Sequence, residues 1–138
     1  NFDYLMEVID WEKNTDPYFY ENRFMAPKLC RQSESFIEEW ICYKCREVSA
    51  KRLTVYPNSS VTIKDSAAYG IILLQGRGKM GKWDIETPAL IRYGQLTADE
   101  FFISEKTAKE GVTIVNTSKV EPLVMLKHFA ENPDLIVE

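Results

Sequence analysis

The sequence predicts an all-β fold: an antiparallel sandwich or barrel of short strands, preceded by an extended arm and interrupted by one short helix. Three observations predict it. From about residue 38 onward, short apolar and β-branched runs alternate with turn residues. Those turn residues (Pro57-Asn58, Gly76-Arg77-Gly78, Thr87-Pro88, Gly94, Glu121-Pro122) recur at the spacing of a sandwich or barrel rather than of a βαβ array. Finally, 138 residues with 45% hydrophobic and 28% charged side chains suit one globular core and leave no room for a second.

Residues 1–35 read as the arm and 36–138 as a single barrel domain. The arm carries Phe2, Tyr4, Trp11, Tyr18, Phe19, Tyr20 and Phe24 among acids and turn formers, a pattern expected of a segment lying over an apolar surface. Asp16 before Pro17 has the chemistry of an N-cap followed by a first-turn proline, which predicts one helical turn over 16–21. Tyr18, Phe19 and Tyr20 cannot all enter one core, so part of the arm is expected to face a partner.

The strands predicted in chain order are 39–44, 51–56, 60–64, 70–75, 79–85, 89–92, 101–103, 112–116 and 123–128, each a run of β-branched, aromatic or aliphatic residues closed by a turn signal. The helix falls between the last three: Ser104 caps it, Glu105 to Glu110 form it, and Gly111 suits the left-handed position that ends it.

Composition excludes several function classes. Lys and Arg total 17 against 21 Asp and Glu, a net charge of −4, with no basic stretch beyond pairs such as Lys51-Arg52; this argues against nucleic acid. No apolar run exceeds four residues, the length of Ile71 to Leu74, so no membrane span and no secretion signal are expected. His128 is the single histidine, which excludes multi-His metal sites and His relays. An Asn at position 1 leads to the expectation that the chain begins inside a longer gene product.

Gly76-x-Gly78-x-x-Gly81 follows an apolar strand and matches a dinucleotide-binding fingerprint in letters. That motif needs a helix to follow, whose N-terminus holds the pyrophosphate, and Lys82 to Pro88 reads as strand. Glycines serving a hairpin are the better reading. Cys42-x-x-Cys45, with Cys30 and His128, could be written as a zinc site, but residues three apart on a strand face opposite sides of a sheet. Three reduced thiols in a reducing compartment, the cytoplasm, are expected instead. Asn58-Ser-Ser and Asn116-Thr-Ser match the glycosylation acceptor and are read as turn residues. Asp99-Glu100 and Lys127-His128 could form a proton-transfer site if strand pairing joined them; a solvated loop and a strand-end His are the plainer reading. Lys64, Asp65 and Tyr69 flank the strand 70–75, and alternation leaves open which of them faces inward.

The segments Leu53-Thr-Val-Tyr-Pro-Asn-Ser-Ser-Val-Thr-Ile63, Tyr69-Gly-Ile-Ile-Leu-Leu-Gln-Gly-Arg-Gly78 and Gly111-Val-Thr-Ile-Val-Asn-Thr-Ser-Lys-Val-Glu-Pro-Leu-Val-Met-Leu126 together resemble the cupin superfamily over about residues 50–128. The resemblance implies a jelly-roll barrel. Metal-binding cupins carry His-x-His and Glu before the glycine step, and a further His four residues before the Asn of the second motif. Here those places fall on Thr62, Lys64, Ser66, Tyr69 and Val112, so the resemblance implies the fold without the usual metal, and no cofactor is expected. It also implies kinship with two-barrel, sugar-phosphate isomerase-like proteins in which one half lacks ligands.

The resulting expectation is a metal-free cupin-like domain, structural and oligomerising or binding a small polar ligand such as a sugar or sugar phosphate. Tyr69, Trp83, Arg92 and Lys127 supply the stacking and hydrogen-bonding groups such ligands use. The alternative is an isomerase or epimerase working on a sugar phosphate by acid–base chemistry, with His128 and Glu100 as the pair. A homodimer, or docking to an upstream barrel domain, is the partner arrangement expected.

Overall fold

The computed structural model describes residues 1–90 and 92–130. Among the described residues, ten strands form two antiparallel sheets facing each other across one core. In chain order they are β1 (Lys28–Gln32), β2 (Phe36–Cys42), β3 (Ser49–Val55), β4 (Ser60–Ile63), β5 (Tyr69–Gln75), β6 (Arg77–Met80), β7 (Trp83–Glu86), β8 (Glu100–Ile103), β9 (Val112–Asn116) and β10 (Leu123–Phe129). The larger sheet runs β1-β2-β3-β10-β5-β8 and the smaller β4-β9-β6-β7. Alternation decides what enters the core: Leu53 and Val55 of β3, Tyr69, Ile71 and Leu73 of β5, Leu123, Met125 and Phe129 of β10, and Ile114 of β9 are all buried.

The two sheets are tied at one end by Asn116. Its side-chain amide donates to the Val55 carbonyl at 3.0 Å and the Glu121 carbonyl at 2.9 Å, while its own oxygen accepts the Ser118 N–H at 2.9 Å. This Asn therefore serves the fold. Gly76 sits where the chain leaves the larger sheet for the smaller, with φ +88° and the Pro122 carbonyl 2.6 Å from where a Cβ would stand. Gly78 meets the Val115 carbonyl still more closely. The Gly-x-Gly step is thus a corner between sheets, and the hairpin lies later, where Met80 pairs with Trp83 across Gly81-Lys82.

Several sequence expectations change accordingly. The run 79–85 is two strands joined by that hairpin, because Gly81 takes φ +57°. Residues 89, 90 and 92 are not strand. The helix at Ser104 is as expected: α4 spans Glu105–Glu110, Ser104 accepts the Thr107 N–H, and Gly111 ends it at φ +110°.

The first 23 residues are three short helices rather than an extended segment: α1 (Phe2–Val8), α2 (Trp11–Asn14) and α3 (Phe19–Arg23). Asn1 and Asp10 cap the first two by accepting backbone N–H bonds. Asp16 does bond the following backbone, accepting from the Tyr18 N–H at 2.8 Å, but the helix starts after the turn it makes. No residue of α1, α2 or α3 is buried. Within the stretch assigned to the arm, β1 joins the larger sheet as its edge strand by pairing with β2.

Candidate functional site

Charged side chains occupy inward positions at one end of the barrel. On β3 the inward series is Lys51, Leu53, Val55; on β10 it is Leu123, Met125, Lys127, Phe129; on β2 it includes Glu38 and Trp40. Glu38 is 0% and Lys127 1% exposed. Asp65 joins them from the β4–β5 loop, which is held over the barrel where the Asp65 N–H donates to the Ala108 carbonyl of α4 at 3.0 Å.

Hydrogen bonds join these groups into one cluster. The Lys127 ammonium donates to Glu38 Oε1 at 2.7 Å and to Asp65 Oδ2. Lys51 Nζ donates to Asp65 Oδ1 at 3.0 Å. Arg31, from the bulged β1, donates through Nε to Glu38 Oε2 at 2.6 Å, through Nη2 to Asp65 Oδ1 at 3.2 Å, and through Nη1 to the Lys64 carbonyl at 2.9 Å. Aromatic faces complete the wall: Lys51 Nζ lies 4.4 Å from the Trp40 ring centre and Lys127 Nζ 4.7 Å from that of Tyr69. Phe129 packs on both rings, 6.0 Å from Trp40 and 5.3 Å from Tyr69.

Burial acts against the charged forms of Arg31 and Lys51 more than any other influence. For Arg31 the hydrogen bond to Glu38 and the charges of Glu38 and Asp65, and for Lys51 the charges of Asp65 and Glu38 and the bond to Asp65, together outweigh it and hold both above their ordinary values. Both stay protonated at neutral pH, so Lys51 is not poised as an amine nucleophile. Tyr69 is raised too, first by burial and then by the negative charges of Asp65 and Glu38, with Arg31 opposing. Its hydroxyl is buried with no hydrogen-bond partner among the described residues.

The cluster reaches solvent through a cleft of about 340 Å³ lined by Arg31, Lys51, Lys64, Asp65, Ser66 and Lys109, with Cys30 at its edge. The Arg31 side chain, 34% exposed, is the cluster's outer member; those of Glu38, Lys51, Asp65 and Lys127 are almost wholly covered.

Of the residues singled out in the sequence, the structure brings Tyr69 and Lys127 together here. Trp83 is half exposed on β7 with Lys82 over its ring, and Arg92 is exposed in the β7–β8 connection; neither reaches the cluster. His128 and Glu100 are not brought together. Both face outward on the larger sheet, where Glu100 stands in register with Ile72 and Leu126 while His128 pairs with Gly70, so two strand spacings and a two-residue offset separate them. No disulfide joins Cys42 to Cys45. Cys42 ends β2 and Cys45 lies in the loop beyond it, so the CxxC does not lie wholly on a strand. Burial, with a smaller contribution from Cys45, pushes the Cys42 thiol up and keeps it protonated.

Arg31, Glu38 and Lys51 were not singled out in the sequence. A signal was present: each Lys or Glu stands at the inward parity of an otherwise apolar strand face, and such a charge needs a partner across the lumen. These residues do not fit a transition metal. Among the described residues no group of three or more His, Cys, Asp or Glu is placed to hold one, and the two lumen carboxylates already bind ammonium and guanidinium groups.

No protein-family model matches the chain. Nor does any curated protein. Solved structures do match, and they share its barrel. Vicilin from hazelnut (Corylus avellana) superposes with a TM-score of 0.56 at 12% identity, over 79% of this chain and 32% of its own. An RmlC-like cupin protein from Ralstonia eutropha gives 0.51 at 8% identity over 77% and 63%. A cupin 2 domain-containing protein from Halorhodospira halophila gives 0.51 at 14% identity over 80% and 81%. The chain thus spans about a third of the vicilin chain and just under two thirds of the Ralstonia one. Two facing antiparallel sheets, the corner at Gly76 and these superpositions agree: the chain has the cupin fold.

Proposed function

We propose that this chain is a cupin-like binding domain that takes a small polar ligand, a sugar or sugar phosphate, into the mouth of its barrel. The observation that carries this reading is the buried cluster of Arg31, Glu38, Lys51, Asp65 and Lys127 opening into a solvent cleft. Buried ion pairs are poor stabilisers, since well-packed apolar residues of similar size do as well or better. Their presence in the lumen therefore favours a role in recognition. The charged and hydroxyl-bearing lining of the cleft offers donors and acceptors of the kind that sugar hydroxyls and phosphates use, and the cleft is of a size that small ligands occupy.

Titration calorimetry against glucose 6-phosphate, fructose 6-phosphate and the free sugars tests the reading. The comparison protein is the double variant Lys127→Met, Glu38→Leu, which removes charge of both signs together. Binding by the wild type and its loss in the folded variant is the expected result. No heat with any of these ligands, or equal binding by both proteins, would sink it.

A second reading, a sugar-phosphate isomerase or epimerase working by acid–base chemistry, is favoured by one observation. The Asp65 carboxylate lines the cleft and is hydrogen-bonded to protonated Lys51 and Lys127, so a proton acceptor and two donors meet at one point of the wall.

The exposed arm fits a further part of the proposal, association as a homodimer or docking against another barrel. Phe2, Tyr4, Tyr18, Phe19, Tyr20 and Phe24 are all exposed, more aromatic surface than solvent alone favours. No described helix is long and apolar enough to cross a membrane. An odd number of cysteines, three, favours a reducing compartment such as the cytoplasm over a closed disulfide framework.

A further inference from the structure

We infer that the Tyr69 hydroxyl is the donor that recognises the ligand at the inner end of this site, and that it takes a hydroxyl or carbonyl oxygen of the sugar part. The inference rests on the binding reading above and adds to it the chemistry of the group that enters deepest.

Tyr69 begins β5 and points into the lumen, 2% exposed. Lys127 Nζ lies over its ring and bonds Asp65, and Asp65 in turn lines the cleft, so the tyrosine stands one side chain behind the cleft wall. Every other buried side-chain polar atom among the described residues has a partner; the Tyr69 hydroxyl has none. Leaving a buried hydroxyl unbonded is unfavourable, and phenylalanine would fill the same space without that cost. The hydroxyl is thus a feature the folded domain gains nothing from by itself, and an acceptor brought by a ligand gives it a use.

Burial and the negative charges of Asp65 and Glu38 keep the phenol protonated, so it has a proton to donate. A phosphate on the ligand belongs at the mouth, beside Lys64 and the exposed side of Arg31. Arg31 is the cluster member that reaches solvent.

The test compares wild type with Tyr69→Phe, by thermal unfolding without ligand and by calorimetry with three probes: fructose 6-phosphate, glucose 6-phosphate and inorganic phosphate. Without ligand the variant is expected to melt at the same temperature or higher. A fall beyond roughly 5 °C would show that the hydroxyl has a structural bond, and the inference fails. The variant should lose about tenfold in affinity for the two sugar phosphates while binding inorganic phosphate as before. Equal affinity of both proteins for the sugar phosphates overturns the role of Tyr69 and leaves the binding site standing. If no probe binds the wild type, the binding reading fails and this inference with it.

Discussion

Lys51 and Lys127 are direct cross-strand partners on the inner face of the larger sheet, β3 against β10, and both ammonium groups are buried. Like charges opposite one another normally destabilise a sheet. Here Asp65, from a loop outside the sheet, accepts a hydrogen bond from each, and Glu38 accepts a second from Lys127. The carboxylates are therefore conditions for this register, since without them two cations would face each other in a dry interior.

Removing one carboxylate should accordingly cost more than removing a pair. Asp65→Asn leaves Lys51 and Lys127 with a neutral acceptor, and a loss of about 3 to 5 kcal/mol is expected, the usual result of breaking a buried ion pair. Lys127→Met with Glu38→Leu removes one charge of each sign and should cost clearly less. Urea unfolding of the two variants checks this; equal losses would mean that the cluster is not coupled through Asp65.

Much of the barrel was legible in the sequence because it depends on alternation and turn chemistry, which are local. The strands around Leu53, Ile71, Ile114 and Met125, and the helix from Ser104 to Gly111, needed nothing more. The charged cluster was only half legible. Tyr69 and Lys127 could be named, and Asp65 could be noted beside the strand 70–75 without its facing, since a loop has no parity; Arg31 lay in the stretch read as arm, and Glu38 just before the predicted strand 39–44. The arm failed for a different reason: caps at Asn1 and Asp10 make local helices that an aromatic pattern does not reveal.

High pH should loosen the barrel from its charged end. Tyr69 has its pKa raised in the folded state, so folding favours the protonated phenol; that stability is whole below the unfolded value of about 10 and is lost as pH rises beyond it. Lys51 is also raised, and its contribution is present below about 10.4 and lost as pH climbs through its higher folded value. Both act in the same direction. Melting temperature should fall above about pH 10, and by less in Tyr69→Phe. Tyrosinate absorbance should show a late component in the wild type that is missing from the variant.

Asn116→Ala should weaken the tie between sheets. It leaves the carbonyls of Val55 and Glu121 without their amide donor and the Ser118 N–H without its acceptor, the Val55 carbonyl in a buried place. A loss of about 1 to 3 kcal/mol is expected from the buried groups left unpaired. Chemical unfolding measures it; a change within 0.5 kcal/mol, as for an ordinary surface substitution, would contradict the assignment.

Deleting residues 1–20 should alter association far more than barrel stability. None of the residues in α1, α2 or α3 is buried, while Met25 packs against the core and β1 belongs to the sheet, so the cut falls outside what the barrel needs. Sedimentation of the truncated chain should show a smaller dimer fraction, with a melting temperature that no longer depends on protein concentration. An unchanged mass distribution would mean that the aromatic arm does not hold copies together.

The two functional readings part at His128 and Asp65. His128 faces outward opposite Gly70, away from the lumen, and Glu100 stands across from Ile72, so a proton passed between this pair has no bound substrate between them in the barrel. His128→Gln should leave fold and ligand binding intact, with a stability change of about 1 kcal/mol or less, since a half-exposed side chain contributes little. If the domain is an isomerase, proton exchange should instead depend on Asp65, which lines the cleft. Deuterium uptake from solvent into fructose 6-phosphate, followed by NMR for wild type, His128→Gln and Asp65→Asn, separates the cases. No uptake by any of them is the outcome expected of a binding domain. Uptake by wild type and His128→Gln that vanishes in a folded Asp65→Asn establishes lumen acid–base chemistry. Uptake that vanishes in His128→Gln would move the chemistry to the outer face of the sheet, and the lumen would then lose its claim to be the functional site.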